Sequence, residues 1–177
     1  MTAPGFSPEF DPQRRAFLRG RSKDVDRPPW TDSRRLATSC TKCGACIAAC
    51  PEAILLADQA GFPMLDFSRG GCSFCAACVD ACAEAVFRPR QEAPWHKLAV
   101  INQRCLAGQG IVCHSCKDAC EAGAIHFSHQ VGQVPQPRII AESCTGCGAC
   151  QAPCPGAAIS IQAGVMPPAD EARHVAR

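Results

Sequence analysis

The sequence has no tyrosine and few large apolar side chains. Its aromatic residues are two Trp and eight Phe. Leu, Ile, Val and Phe together account for 33 of the 177 residues. So few core-forming residues come close to the composition of disordered chains, but such chains also carry a high net charge, whereas the formal net charge here is +2. The composition excludes an enzyme domain built on a conventional apolar core, so another source of stability is required.

Other absences exclude further classes of protein. A net charge of +2 does not suggest a dedicated nucleic-acid-binding protein. No apolar run approaches the ~18 residues that span a membrane, so we expect no membrane insertion. There is no G-x-G-x-x-G after a strand, no P-loop and no nucleophile motif, and the five histidines are scattered. The sequence therefore does not predict an enzyme.

Cysteine is the residue present in excess, with 16 in the chain. In a secreted protein these would be expected to form disulfides. Residues 19–35, however, contain eleven charged residues or prolines where an export signal needs apolar ones. We therefore expect a cytoplasmic protein whose reduced thiols bind metal.

The cysteines fall into four groups of four. Three groups have the spacing C-x2-C-x2-C-x3-C, and the third lengthens the first gap to seven residues. This is the spacing by which bacterial ferredoxins hold 4Fe-4S clusters. Along the chain the groups are Cys40, Cys43, Cys46 and Cys50; Cys72, Cys75, Cys78 and Cys82; Cys105, Cys113, Cys116 and Cys120; Cys144, Cys147, Cys150 and Cys154.

Zinc is the alternative metal. Zinc ligands usually come as two C-x2-4-C pairs separated by a longer gap, which is not the arrangement here. Three thiolates in a loop of small residues such as Gly44 and Ala45 can wrap one face of an Fe4S4 cube and leave backbone N–H groups free to approach its sulfides. The sequence therefore predicts four 4Fe-4S clusters with all 16 cysteines as ligands and His114 as a bystander.

The groups pair in sequence order. The segment CTKCGACIAACP at 40–51 matches CTGCGACQAPCP at 144–155 at nine of twelve positions, which indicates an internal duplication. Similar gaps separate group one from two and group three from four. Since the fourth cysteine of such a run ligates the partner cluster, the predicted quartets are Cys40, Cys43, Cys46 and Cys82; Cys50, Cys72, Cys75 and Cys78; Cys105, Cys113, Cys116 and Cys154; Cys120, Cys144, Cys147 and Cys150.

The fold class that we expect is α+β, with two tandem bacterial-type ferredoxin modules of two 4Fe-4S clusters each and an irregular N-terminal arm. Each fourth cysteine is expected to begin a short helical turn that leads into a strand. The predicted boundaries are a basic arm at 1–35, modules at 36–90 and 100–163, a linker at 91–99 and a mobile tail at 164–177. The predicted strands are 54–56, 64–67, 86–87, 124–127, 138–140 and 158–161.

Two further features concern the module boundary and the third group. Trp95, in the Pro-containing linker, either packs the two modules together or caps one of them at the surface. The long gap of the third group, residues 106–112, contains two glycines, and a longer flexible loop costs more entropy to close. We therefore expect the cluster there to be the most labile of the four.

The arm carries two segments that suggest partner binding. Residues 13–19, QRRAFLR, look like a twin-arginine export motif, but the apolar stretch that must follow is absent. The segment is therefore either a chance match in a solvated arm or a docking element that uses Arg14, Arg15, Phe17 and Leu18. The second segment, RPPW at 27–30, is either a rigid linker that lays Trp30 on the first module or a docking element that presents it.

These features together resemble the NapF family of ferredoxin-type accessory proteins of periplasmic nitrate reductase systems. The resemblance extends over residues 13–162 and rests on the four cysteine groups, the stretched third group, the RRxFL-like segment and the RPPW segment. It implies four 4Fe-4S clusters, a cytoplasmic location and binding to the nitrate reductase catalytic subunit precursor before its export. The implied role is maturation of that subunit, either by supplying electrons or by helping to install its cluster.

Two other functions are compatible with the same residues. The chain would also suit a general one-electron carrier, or an electron-transfer subunit of a redox complex, reduced by a redox donor protein. In the third alternative the clusters would serve only to hold the fold together. The sequence alone does not separate these functions, because all three need the same ligands.

Overall fold

A computed structural model describes residues 25–164. The secondary structure elements are short and are separated by the cysteine loops. The helices are α1 (Ser33–Ser39), α2 (Ala45–Ala48), α3 (Ala77–Asp80) and α4 (Ser115–Asp118), with a 3-10 turn at Ala107–Gln109. The strands are β1 (Leu55–Ala57), β2 (Pro63–Leu65), β3 (Lys97–Ile101), β4 (Ile125–Ser128), β5 (Gln136–Ile139) and β6 (Ile159–Ala163).

The strands form three antiparallel pairs that repeat one plan twice. Each module has a central hairpin, which is β1–β2 in the first module and β4–β5 in the second. The chain segments at the beginning and end of each module also pair with each other. The ends of the second module pair over five residues of β3 and β6, whereas those of the first meet in the single bridge Thr31↔Phe87. By this pairing the first module spans residues 31–87 and the second spans 97–163. Mixed, short elements agree with the expected α+β class.

Five of the six predicted strands are present, with ends displaced by one or two residues, and the sixth, at 86–87, is reduced to the bridge at Phe87. Strand β3 is not predicted by the sequence, and its first three residues lie within the predicted linker. Its segment of Lys97–Ile101 is too short and too mixed to stand out by periodicity. It is fixed by pairing with β6, which follows it much later in the chain.

The helices α2, α3 and α4 precede the fourth cysteine of their groups. Helix α2, for example, follows Gly44, whose φ of +77° starts the turn, contains Cys46 and ends two residues before Cys50. The expectation that each fourth cysteine begins a helical turn is met only in part. A single hydrogen-bonded turn, and not a helix, begins at the fourth cysteine of groups one, three and four, where the carbonyls of Cys50, Cys120 and Cys154 accept from the N–H group three residues on. With the third cysteine inside the helix and the fourth beyond its end, the two thiols are carried to different sites.

Helix α1 is a further element that the sequence interpretation does not include, although its N-terminal signal is present in the sequence. The carboxylate of Asp32 accepts hydrogen bonds from the backbone N–H groups of Arg34 and Arg35, at 2.9 and 3.0 Å, and so caps the helix. Leu36, on its inner face, is buried. The helix fills the space between the bridge at Thr31 and the first cysteine.

The described end of the predicted arm packs on the modules. The carbonyl of Asp26 accepts a hydrogen bond from the backbone of Leu65 at 2.7 Å, and its carboxylate forms an ion pair with Lys97. Arg27 forms an ion pair with Asp58 at 2.8 Å. Residues 26–27 thus contact the first module, and through Lys97 also the second.

Among the described residues, an apolar cluster joins the two modules. It contains Ile54, Leu65 and Phe67 of the first module together with Ile125 and Ile159 of the second. Because the core is small, the partly and fully buried cysteines form a large share of it. Each module therefore buries part of its apolar surface only by docking on the other.

Trp95 lies at this junction. Its ring meets the rings of Phe67 and Phe74 edge-on, with centroids 6.2 and 5.2 Å apart, and both belong to the first module. Its indole N–H donates to the carbonyl of Thr145 in the second module at 2.9 Å. Of the two interpretations of Trp95, packing between the modules is the one that these contacts support.

The backbone conformation at Ala53 generates a first prediction. Ala53 is exposed and has a φ of +52°, a conformation that costs an L residue roughly 1–2 kcal/mol. The equivalent residue of the third group, Gly123, has a φ of +62° without that cost. We expect Ala53→Gly to raise the free energy of unfolding by up to about 1 kcal/mol, measured as a higher midpoint of anaerobic thermal unfolding.

The matched control is Ala48→Gly. Ala48 is equally exposed but lies in helix α2, where glycine costs about 0.5–1 kcal/mol. This variant is expected to lower the midpoint. A change of the same sign in both variants would contradict the assignment of a left-handed conformation to Ala53.

A second prediction concerns the junction. Trp95→Ala removes two aromatic pairs, each worth about 0.5–1.5 kcal/mol, so we expect about 1–3 kcal/mol of lost stability and faster proteolysis of residues 88–96 in the holoprotein. Trp95→Phe keeps an aromatic ring and loses only the indole hydrogen bond, so the free energy of unfolding should fall by only about 1 kcal/mol. Equal proteolysis rates in Trp95→Ala and the unchanged protein would contradict a junction role.

Candidate iron–sulfur sites

The structure brings the four members of every predicted quartet to the lining of one cavity. We number the cavities in the order in which their first cysteines occur. Each takes three cysteines from one loop and the fourth from another loop of the same module. Site I is lined by Cys40, Cys43, Cys46 and Cys82; site II by Cys50, Cys72, Cys75 and Cys78; site III by Cys105, Cys113, Cys116 and Cys154; site IV by Cys120, Cys144, Cys147 and Cys150.

The donor set of the cavities suits a cluster, because four thiols line each of them. Within residues 25–164, no three His, Cys, Asp or Glu side chains converge on a position for a single metal ion. The thiols instead surround a space, as is required when four thiolates bind the corners of a multi-iron core.

A repeated backbone turn shapes three of the cysteine loops. In groups one, two and four, the residues before and after the second cysteine both have positive φ. Left-handed residues alternating with right-handed ones turn successive N–H groups into one concavity, an arrangement that binds anions and occurs at iron–sulfur sites. The pairs are Lys42 and Gly44, Phe74 and Ala76, and Gly146 and Gly148, with φ between +53° and +82°.

Backbone N–H groups also donate directly to four cysteine sulfurs. Two of these donors lie four residues beyond a fourth cysteine, where the chain enters β4 or β6. None of the four donors is among the site residues predicted from the sequence, although the offset of four residues shared by these two was available as a signal. The bonds run from Phe74 to Cys72 at 3.4 Å, Ala99 to Cys144 at 3.5 Å, Ala124 to Cys120 at 3.3 Å and Ala158 to Cys154 at 3.3 Å.

Burial and mutual proximity act on the thiols. Burial, followed by the nearby thiols, raises the pKa of Cys78 and of Cys150 to about 12, and burial raises the pKa of Cys72 to about 11. At exposed Cys43 the backbone N–H of Ala45 lowers the pKa instead. Iron binds thiolate, so loading the buried sites must release protons, and the cation must offset the repulsion between thiolates.

The long loop of group three is anchored. Its 3-10 turn buries Ala107, which is 1% exposed, and the side-chain amide of Gln136 donates to the carbonyl of Ala107 at 2.7 Å. The first half of this loop is therefore anchored to β5, whereas the sequence interpretation treats the whole loop as flexible. Ile111 and Val112 at its end are exposed next to Cys113. The lability of site III remains a prediction.

His114 packs against Phe127, with ring centroids 4.5 Å apart, and does not line site III. Its φ of −126° shows that group three lacks the left-handed turn of the other loops. The expectation that His114 is a bystander agrees with this placement.

Of the five residues predicted to bind a partner, the structure describes only Trp30. Arg14, Arg15, Phe17 and Leu18 lie outside the described residues. Trp30 is 6% exposed, and its indole N–H donates to the carbonyl of Glu92 at 2.9 Å. The prediction that Trp30 presents a docking surface is corrected, because a side chain buried in this way offers no surface to a partner.

Across residues 25–164, none of the helices has the length and apolar character needed to cross a bilayer. The longest, α1, has seven residues.

Comparison with known proteins gives a family match in each module. The profile of the 4Fe-4S dicluster domain family matches residues 39–86 and 111–158. The two matches include every cysteine except Cys105, which precedes the long gap of group three. Two such domains with this cysteine set correspond to four 4Fe-4S clusters.

Relatives resemble the chain over most of its length. The ferredoxin-type protein NapF of Escherichia coli K12 is 40% identical over 158 residues, which cover 87% of this chain and 96% of the relative. The protein of the same name from Haemophilus influenzae Rd is 41% identical over 84% of this chain and 92% of its own length. A subunit of the ion-translocating oxidoreductase complex of Methanosarcina acetivorans is 37% identical over 74% of this chain and 50% of its own length. The chain therefore belongs to the NapF family of ferredoxin-type iron–sulfur proteins.

Proposed function

We propose that the chain is a cytoplasmic accessory protein that binds the catalytic subunit of periplasmic nitrate reductase before export and exchanges electrons with it. The observation that carries the electron-transfer part is the convergence of four cysteines at each of four cavities. Bound there, each 4Fe-4S cluster accepts and releases one electron at a time.

The protein's own residues prepare these sites for electron transfer. The cysteines of two loops would hold each cluster, and the N–H groups of Phe74 and Ala124 donate to cysteine sulfurs, where hydrogen bonds would influence the potential of a bound cluster. Cys43 at site I and Cys75 at site II are exposed, so both sites reach the surface. The buried Cys78 and Cys150 keep water away from the inner sides of sites II and IV.

Similarity to NapF proteins over 87% of the chain supports the proposed partner. The arm contributes a second argument, because Arg14, Arg15, Phe17 and Leu18 reproduce part of an export motif without the apolar stretch that export needs. In this proposal the arm binds either the precursor itself or the component that recognises the signal of the precursor.

The second candidate function is an electron-transfer subunit of a redox complex. It is favoured by the similarity to a subunit of an ion-translocating oxidoreductase complex, of which the chain covers half. In this case the electrons would come from a redox donor protein, and the arm would be dispensable.

A third prediction tests the ligand sets through iron content. If the quartets bind as proposed, the anaerobically purified protein contains about 16 iron atoms, and one Cys→Ala change lowers this to about 12. Cys50→Ala combined with Cys78→Ala should lose no more, because both line site II. Cys50→Ala combined with Cys46→Ala should leave about 8, since sites I and II are both broken.

The two double variants serve as each other's control. The opposite result is that the Cys46 and Cys50 double variant loses one cluster and the Cys50 and Cys78 double variant loses two. That result would show that each four-cysteine run binds its own cluster. Stoichiometric zinc without visible charge-transfer absorption would contradict the iron–sulfur assignment itself.

A fourth prediction tests the partner. Anaerobic affinity capture from cytoplasm, followed by mass spectrometry, is expected to retain the nitrate reductase catalytic precursor with its signal still attached. Arg14→Ala with Arg15→Ala should reduce this retention at least tenfold and leave the iron content unchanged.

The chain offers a matched control in a second arginine pair, Arg34 and Arg35, which is exposed on α1. Arg34→Ala with Arg35→Ala removes the same charge and is expected to leave retention intact. Capture of other redox enzymes, unaffected by either pair, would favour the electron-transfer subunit instead.

A further inference from the structure

The two modules meet at their cysteine loops. The backbone N–H of Cys72 donates to the carbonyl of Cys147 across the junction, with N and O 2.8 Å apart. Cys72 lines site II and Cys147 lines site IV. The hydrogen bond therefore joins a residue of one candidate cluster site to a residue of another.

The glycines beside these cysteines allow the close approach. A Cβ atom on Gly71 would lie 2.6 Å from the Cβ of Ala149 and 2.8 Å from its backbone, so no larger residue fits without separating the loops. Likewise, a Cβ on Gly148 would overlap the ring of Phe67. Both contacts run between the modules, and both flank the Cys72–Cys147 bond.

Aromatic side chains hold the same contact from one side. Phe74, two residues after Cys72, packs against Trp95, which donates to Thr145, two residues before Cys147. Trp95 thus fixes the two loops against each other. The junction is therefore a close contact that combines packing with hydrogen bonds.

Within each module, cross-ligation already makes the two sites neighbours. Cys46 and Cys50 lie four residues apart at helix α2 but line sites I and II. The same relation joins Cys116 of site III with Cys120 of site IV at helix α4. None of the four sites is lined by residues of both modules. The described contacts between cysteine loops of different modules join sites II and IV.

We propose that the four sites form one linear path in the order I, II, IV, III, and that electrons cross between the modules through the Cys72–Cys147 contact. This inference depends on the proposed ligand sets. In the crossing step, one electron leaves the reduced cluster at site II and enters the oxidised cluster at site IV, or the reverse. No bond forms or breaks and no proton moves, and the electron is supplied by an external one-electron donor.

The path has a consequence for the partners. Electron tunnelling falls steeply with distance, so the contact that brings two sites closest determines the route. Sites I and III are then the two ends of the path, at opposite modules. A donor and an acceptor can bind at the same time, one at each end.

The order of the sites can be tested by magnetic coupling between reduced clusters. Full chains that retain only the inner sites (Cys43→Ala with Cys113→Ala) or only the outer sites (Cys75→Ala with Cys147→Ala) are reduced with photoreduced deazaflavin and examined by electron paramagnetic resonance. The inner pair, II and IV, should show spin–spin splitting, and the outer pair, I and III, should show isolated signals. Coupling in the outer pair, or none in the inner pair, overturns the proposed order.

Iron content separates a failure of the ligand sets from a failure of the path. Each double variant should hold about 8 iron atoms, because two of four clusters remain. A different content means that the ligand sets are wrong and that the proposed function fails at that point, before any coupling is measured.

Glycine variants with all 16 cysteines give a second measurement that needs no cluster removal. Gly71→Ala forces the loops apart, so it should weaken the coupling in the fully reduced protein. Gly108→Ala is the matched control, because its Cβ would lie 3.7 Å from the Cβ of Cys105, an ordinary contact. Equal coupling in both variants, with about 16 iron atoms in each, would show that the Cys72–Cys147 contact is not the route.

Discussion

Placing sixteen thiols around four cavities is the constraint on which the rest of this structure depends. Each cavity needs three cysteines from one loop and a fourth from another, so the two loops of a module must lie face to face. Helices α2, α3 and α4 are short for the same reason, since each has to end before the fourth cysteine of its group. Strand pairing then closes each module around its two sites.

The same constraint explains how so small a core is sufficient. Leu, Ile, Val and Phe contribute 33 residues, and the core that they form is shared between the modules and includes Cys78, Cys116 and Cys150. Burial raises the pKa of these thiols, so in the absence of iron they stay protonated and contribute no charge that a partner could neutralise. Bound to iron they would become ligands of a charged cluster and part of the stabilising interior, so we expect folding and loading of this chain to be coupled.

The two modules are variations on one plan. The second has a five-residue pairing of its ends, whereas the first has a single bridge. The first module compensates through helix α1 and through Asp26 and Arg27, which tie its N-terminal segment to the hairpin and to Lys97. The second departs from the plan at group three, where the left-handed turn beside the second cysteine is absent and an anchored 3-10 turn follows the first cysteine.

Regular cysteine spacing made the ligand groups, the cluster type, the two modules and most strands predictable from the sequence. The composition of the quartets followed from the rule for the fourth cysteine, and the cavities have that composition. Local patterns were insufficient where an element depends on a distant partner. Strand β3 exists because β6 pairs with it, and the first half of the long loop after Cys105 is anchored because Gln136 holds it.

The sequence by itself determined which residues can bind iron and how they group, because ligand spacing within a loop is a local property of the chain. Only the tertiary structure decided that Trp30 is buried, that Trp95 lies between the modules, and that Cys72 meets Cys147. These outcomes depend on how two packed surfaces fit together, and no spacing along the chain encodes the distance between residues so far apart in sequence.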